Sequence, residues 1–159
     1  MTLTAAEIMT KNVKTVRPDA SVAEIARLLC DHQISAVPVC DAEGQVVGML
    51  SEGDLLRPVG HEQSAKRAWW LNLLAEGTDL APSFLECISV ENQRAGNLMI
   101  TPVVTASPDN SVPELADLLM RHHIKRLPIL REGKLVGIVS RADLIRALAR
   151  TPDAIAEAL

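Results

Sequence analysis

The sequence predicts an α+β fold of two β-α-β-β-α repeats, residues 6–57 and 95–146, packed about a pseudo-twofold axis. A helical insert, 58–94, separates them, and a helical tail, 147–159, follows the second. Three observations predict this. First, the chain repeats itself: with Met9 set on Met99 and one residue deleted after Asp41, 22 of 48 aligned positions are identical. Unrelated segments of ordinary composition would share about three. Second, within each copy the apolar spacing changes from helical to strand-like and back to helical. Third, the composition is globular and aliphatic, with 48% apolar residues but one Phe, two Trp and no Tyr in 159 residues. A core must therefore be built from Leu, Ile, Val and Ala. At about 50 residues, one copy alone buries too little surface to be comfortable, so the copies are expected to pack together and form equivalent clefts.

The elements follow in order. A short strand, Val13–Val16 or Val103–Thr105, precedes a Pro-Asp turn at Pro18 or Pro108. Ser21-x-x-Glu24 and Ser111-x-x-Glu114 are capping boxes, in which the serine accepts from the third helical N–H and the glutamate reaches back. Val22, Ile25, Ala26 and Leu29, and likewise Val112, Leu115, Ala116 and Leu119, then recur at helical spacing. Pro113 falls in the first turn, where its missing N–H would be unpaired anyway. Runs at Ala36–Cys40 and Arg126–Leu130 read as strands. Turns at Gly44 and Gly133 lead to further strands, Val46–Leu50 and Leu135–Val139, and a last helix begins after Ser51 or Ser140. In the insert, Ser64–Leu74 reads as a helix and 79–91 as a second, shorter one. Trp69 and Trp70 point about 100° apart there, one inward and one near the surface, as in a lid, a self-association surface or a platform on which a ligand stacks.

Several function classes are excluded. Few aromatics and a net charge of −4 argue against nucleic acid as a partner. The N-terminus lacks an apolar signal core, and no apolar run reaches the ~18 residues of a membrane span. Cys30, Cys40 and Cys87 form no CxxC or metal-ligand spacing. A cytoplasmic, reduced chain is expected, with Cys30 and Cys40 as buried small apolar groups. His32 and His122 close the first helices, where the dipole favours them, as capping or packing groups or as contacts to a phosphate. No carboxylate-histidine cluster points to a metal, and neither a nucleophile-base arrangement nor a phosphate loop points to catalysis.

The most informative strings are Gly48-Met-Leu-Ser51-Glu-Gly-Asp54-Leu and Gly137-Ile-Val-Ser140-Arg-Ala-Asp143-Leu. In each a strand runs into a helix with serine at the N-cap and aspartate at the third helical position. The pair is explained either as a helix cap or as a hydroxyl and a carboxylate facing a cleft, where a carboxylate accepts from both hydroxyls of a ribose. Gly48 and Gly137 interrupt their strands, as glycines do where something approaches the backbone closely.

With His32-Gln-Ile-Ser-Ala-Val-Pro38-Val and His122-His-Ile-Lys-Arg-Leu-Pro128-Ile, these strings resemble a tandem pair of cystathionine-β-synthase (CBS) domains over about two thirds of the chain. The Trp-Trp helix is similar to a bacterial subgroup, some members of which carry a BON domain after the second copy; none is expected here. The resemblance implies a regulatory module for an adenine nucleotide (AMP, ADP, ATP, NAD(H) or S-adenosylmethionine) with no catalytic cofactor. It implies that Ser51, Asp54, Ser140 and Asp143 hold ribose. Backbone around Ile34, Ser35, Ala36 and Pro38, and around Ile124, Lys125, Arg126 and Pro128, would read the adenine edge. Thr10 and Lys14, or Ile100 and Val104, would line the base pocket. It also implies a homodimer of CBS pairs and an effector protein that the sequence does not name. Leu55, Leu56, Leu144, Ile145 and Leu148 suit either that interface or the core.

The copies differ where a phosphate would need cations. Lys125, Arg126 and Arg141 in the second copy stand opposite Ser35, Ala36 and Glu52 in the first. The second copy is expected to be the stronger anion site, with Lys14 and Arg17 compensating in part in the first. A ligand-free dimerisation scaffold and an enzyme acting on nucleotides are the competing classes.

Overall fold

The computed structural model describes residues 3–60 and 93–150, so Cys87, the Trp69-Trp70 insert and the end of the tail lie outside it. The described chain is α+β. Its elements are α1 (Ala5–Ile8), α2 (Val22–Asp31), β1 (Ala36–Cys40), β2 (Val46–Ser51), α3 (Glu52–Gly60), α4 (Ala95–Leu98), α5 (Val112–Arg121), β3 (Arg126–Arg131), β4 (Lys134–Ser140) and α6 (Arg141–Arg150).

The capping boxes form as their sequences dictate. Glu24 N–H donates to Ser21 Oγ (3.2 Å) and Glu114 N–H to Ser111 Oγ (3.3 Å), while each glutamate carboxylate accepts from the serine N–H. Both helices also end alike. Gln33 and His123 take positive φ values of 52° and 53°. The Ile34 N–H reaches Leu29 O and the Ile124 N–H reaches Leu119 O, both at 3.0 Å. These are Schellman closures, here made without the usual glycine. His32 and His122 are the C-cap residues.

Each copy contributes one antiparallel hairpin, β1–β2 and β3–β4. The second turns on Glu132-Gly133 with φ of 52° and 78°, and Arg131 lies opposite Lys134. That is a two-residue turn with both central residues left-handed, the kind that matches strand twist. The first expected strand of each copy is reduced to a single parallel bridge, Val16 to Val39 and Ala106 to Ile129. The bond that would extend each bridge back to Lys14 or Val104 needs an N–H from Pro38 or Pro128 on the facing strand, and proline has none.

The two compact units do not coincide with the two copies. Among the described residues, one unit joins 3–13 and 43–46 to 102–150, and the other joins 14–42 to 47–60 and 93–101. The leading segment of each copy is thus exchanged. In the first of these units Ala5 N–H donates to Asn110 O, Val112 N–H to Leu3 O, and Thr10 pairs with Ile138 in both directions. In the other, Ala95 N–H donates to Ala20 O, Gly96 N–H to Pro18 O, and Ile100 pairs with Met49 in both directions. The cores follow suit. Ala5 is enclosed with Leu115, Leu119, Leu127, Ile129 and Val139, and Ala95 with Ile25, Val37, Val39 and Leu50. Each fully buried Ile or Leu contributes about 1.5–3 kcal/mol.

The exchange accounts for the strand glycines. A Cβ on Gly48 would lie 2.4 Å from Met99 Sδ, and one on Gly137 2.3 Å from Met9 Sδ. What approaches these backbones is the thioether of the exchanged segment. Cys40 is buried, as its apolar setting predicts, but Cys30 is exposed, because it follows the inward-facing Leu29 by one step on α2.

Candidate functional site

In each unit a buried strand delivers its serine to the start of a helix. Ser51 donates to Asp54 Oδ2 through its N–H (2.8 Å) and its hydroxyl (3.0 Å). Ser140 does the same to Asp143 Oδ2 at the same two distances, and Asp143 N–H returns a bond to Ser140 Oγ at 3.3 Å. Asp54 and Asp143 are the buried charged side chains among the described residues. Burial of a carboxylate is costly unless donors surround it, and the serine N–H and hydroxyl are two such donors. The cap reading of Ser-x-x-Asp is therefore realised in both copies.

The next segment is tied to this helix start by one backbone bond. Glu52 N–H donates to Ser35 O at 3.0 Å, and Arg141 N–H donates to Lys125 O at 3.1 Å. Ile34, Ser35 and Ala36 are in this way brought beside Ser51 and Asp54, and Ile124, Lys125 and Arg126 beside Ser140 and Asp143. Pro38 and Pro128 are fully buried. Their carbonyls accept from Val16 and Ala106 in the parallel bridges, so these residues act through the core. Lys125 and Arg141 are exposed and Arg126 is half-buried, which leaves the second copy's basic groups at the mouth of its helix start. The first copy has half-buried Ser35, buried Ala36 and exposed Glu52 there.

The base-lining residues are redistributed by the exchange. Thr10, from the first copy, pairs with β4 in the unit that holds Ser140 and Asp143; Ile100, from the second, pairs with β2 in the unit that holds Ser51 and Asp54. Lys14 stays with the Asp54 unit and is exposed, and Val104 stays with the Asp143 unit, half-buried against its core.

One residue at the site escaped the sequence reading. The Arg146 guanidinium pairs with Asp143 Oδ1. Its signal was present as an Asp and an Arg three apart on one helix, a spacing that brings side chains together. The Cys40 thiol is held above its ordinary value by burial and then by the charge of Asp41, so it remains protonated and unreactive near neutrality. No group of three or more potential metal ligands occurs among the described residues, and no helix there is long and apolar enough to cross a membrane.

Comparison with known proteins agrees with this architecture. The family model for the CBS domain matches residues 5–61 and 95–150. An uncharacterised Methanocaldococcus jannaschii protein, MJ1426, is 33% identical over 156 residues, covering 89% of each chain. The CBS domain of a CBS-domain-containing membrane protein from Sphaerobacter thermophilus has 32% identity and a TM-score of 0.72, covering 91% of this chain and 87% of that one. CBSX2 of Arabidopsis thaliana, solved in complex with AMP, shares the fold at 24% identity and a TM-score of 0.70, covering 94% and 98%.

Proposed function

Because the chain belongs to the CBS-domain family, we propose that it is a regulatory module that binds an adenine nucleotide of the AMP, ATP or NAD type. It performs no catalysis of its own and signals by a ligand-dependent change of conformation or assembly. The observation that carries this reading is the pair of buried carboxylates, Asp54 and Asp143, each fixed at a helix start beside the backbone of Ser35 or Lys125. A carboxylate held this way offers acceptors for ribose hydroxyls, and the neighbouring peptide groups offer donors and acceptors for an adenine edge.

The ligand sets follow the units. Asp54 acts with Ser51, Ile34, Ser35, Ala36, Lys14 and Ile100, and Pro38 shapes the strand behind them. Asp143 acts with Ser140, Arg141, Ile124, Lys125, Arg126, Thr10 and Val104, and Pro128 shapes that strand. The second set is the stronger anion site, because it alone carries Lys125, Arg126 and Arg141. Leu56, Ile145 and Leu148 remain exposed and support a homodimer of CBS pairs. That homodimer passes its state to an effector protein in the cytoplasm.

Thermal shift and titration calorimetry with AMP test the proposal. AMP raises the melting temperature in a concentration-dependent way. Asp143→Ala loses the tighter binding event and Asp54→Ala retains it. Asp143→Asn, which keeps an acceptor for the helix cap, loses the same event. A chain whose melting temperature no adenine nucleotide moves is a scaffold. Loss of AMP binding in Asp54→Ala alone reverses the assignment of the two sites. Product formation from AMP, ATP or NAD that disappears in Asp143→Ala makes the protein an enzyme.

A further inference from the structure

The carboxylate proposed to hold ribose is already occupied by the protein itself. Asp143 Oδ2 accepts the N–H and the hydroxyl of Ser140, and Oδ1 is paired with the Arg146 guanidinium. The two partners differ in kind. Ser140 and Asp143 form a rigid helix start, whereas the Arg146 side chain is 63% exposed and can leave Oδ1 with little loss of packing. A ribose diol donating to Oδ1 competes directly with that guanidinium. Hydroxyls and a guanidinium alike make charge-assisted bonds to a carboxylate, but only the guanidinium also brings an opposite charge, so a neutral hydroxyl pair alone is a poor exchange for it. A ligand that also carries phosphate alters the balance, because the displaced guanidinium then has an anion to pair with.

We infer that Arg146 is an internal counter-ion that makes the Asp143 site select phosphorylated nucleosides over unphosphorylated ones. The inference rests on the ribose role proposed for Asp143. It adds Arg146 to the basic set at this site and gives it a distinct task. Lys125, Arg126 and Arg141 attract an anion, whereas Arg146 must be displaced from the carboxylate before either ligand can settle. Arg146 is thus a specificity residue in two senses: it penalises adenosine and rewards AMP.

Calorimetric titration of wild type, Arg146→Gln and Arg146→Lys with adenosine and with AMP tests this. In Arg146→Gln, adenosine binds more tightly than in wild type and AMP more weakly, so that the AMP-to-adenosine affinity ratio falls by about tenfold or more. Arg146→Lys keeps the charge and retains most of the ratio. In wild type, added salt weakens the Arg146–Asp143 pair and tightens binding of adenosine, which is uncharged. That salt response disappears in Arg146→Gln. If the two ligands weaken equally, or neither changes, Arg146 is only structural and the inference fails while the nucleotide reading stands. If wild type binds neither ligand, both fail together.

Discussion

Gly48 and Gly137 stand where a methyl group has no room. A Cβ would lie 2.9 Å from Met99 Cβ at the first and 3.1 Å from Met9 Cβ at the second, well inside the flexible end of each thioether. Gly48→Ala and Gly137→Ala therefore push back the root of the methionine and the segment that carries it. Overpacking of this kind costs about 1–3 kcal/mol, read as a lower urea midpoint with an unchanged slope. If the loss is repacking alone, Met99→Ala or Met9→Ala in the same background recovers part of it. The same contacts explain a limit of sequence reading. A glycine within a strand announces a close approach but does not say by what. Here the two methionines and the two glycines are identical between copies, so each thioether suits either glycine, and the exchanged pairing could not be read from residue type.

The elements that the sequence predicted best are those with two concordant local signals. Helices α2 and α5 have both an apolar period and a capping box, and the two boxes differ in a measurable way. Asn110 donates from its side chain to Glu114 at 2.9 Å, where the first copy has Ala20. That bond, followed by the Ser111 N–H, holds the Glu114 carboxyl below its ordinary range. A lowered folded-state value means that the stabilisation is complete above the unfolded glutamate value of about 4.3 and is lost as the pH falls through the folded one. The melting difference between wild type and Glu114→Gln thus persists from neutral pH down to that value and closes below it; a difference that grows in acid would contradict this. Elements with one signal or none were missed. The short α1 has a Thr4-x-x-Glu7 cap, with the Glu7 carboxylate accepting from Thr4 N–H at 2.7 Å, but Arg94-x-x-Asn97 before α4 has no matching pair, so the repeat drew no attention to it. The expected first strands failed because a proline removes the donor needed to extend them. At the site, Ser-x-x-Asp was legible as a helix start. Arg146 was not, because whether an arginine three residues along a helix turns back to its aspartate depends on exposure and on what else competes for it.

For the molecule as a whole, the exchange of leading segments makes a prediction opposite to one based on order in the chain. Removing residues 1–9 takes Leu3, Ala5, Ile8 and Met9 from the core that contains Leu115, Ile129 and Val139. The nearer core, built on Ile25, Val37 and Leu50, keeps its partners Ala95, Leu98 and Met99. Hydrogen exchange on the truncated chain therefore shows protection lost first at β3, β4 and α5, not at β1, β2 and α2. Loss at β1 and β2 first would refute the exchanged arrangement. The same arrangement bears on how the protein is made. Residues 3–9 are made ahead of the rest of the first copy, yet β4, the strand that Thr10 joins, is made only near the end of the second. The other unit closes only after its missing segment has arrived from beyond the insert. Domains usually fold in order as they are synthesised, but here the leading segment of the first copy waits until the second copy is made. Completion of the second repeat, rather than of the first, is the event that lets both units close.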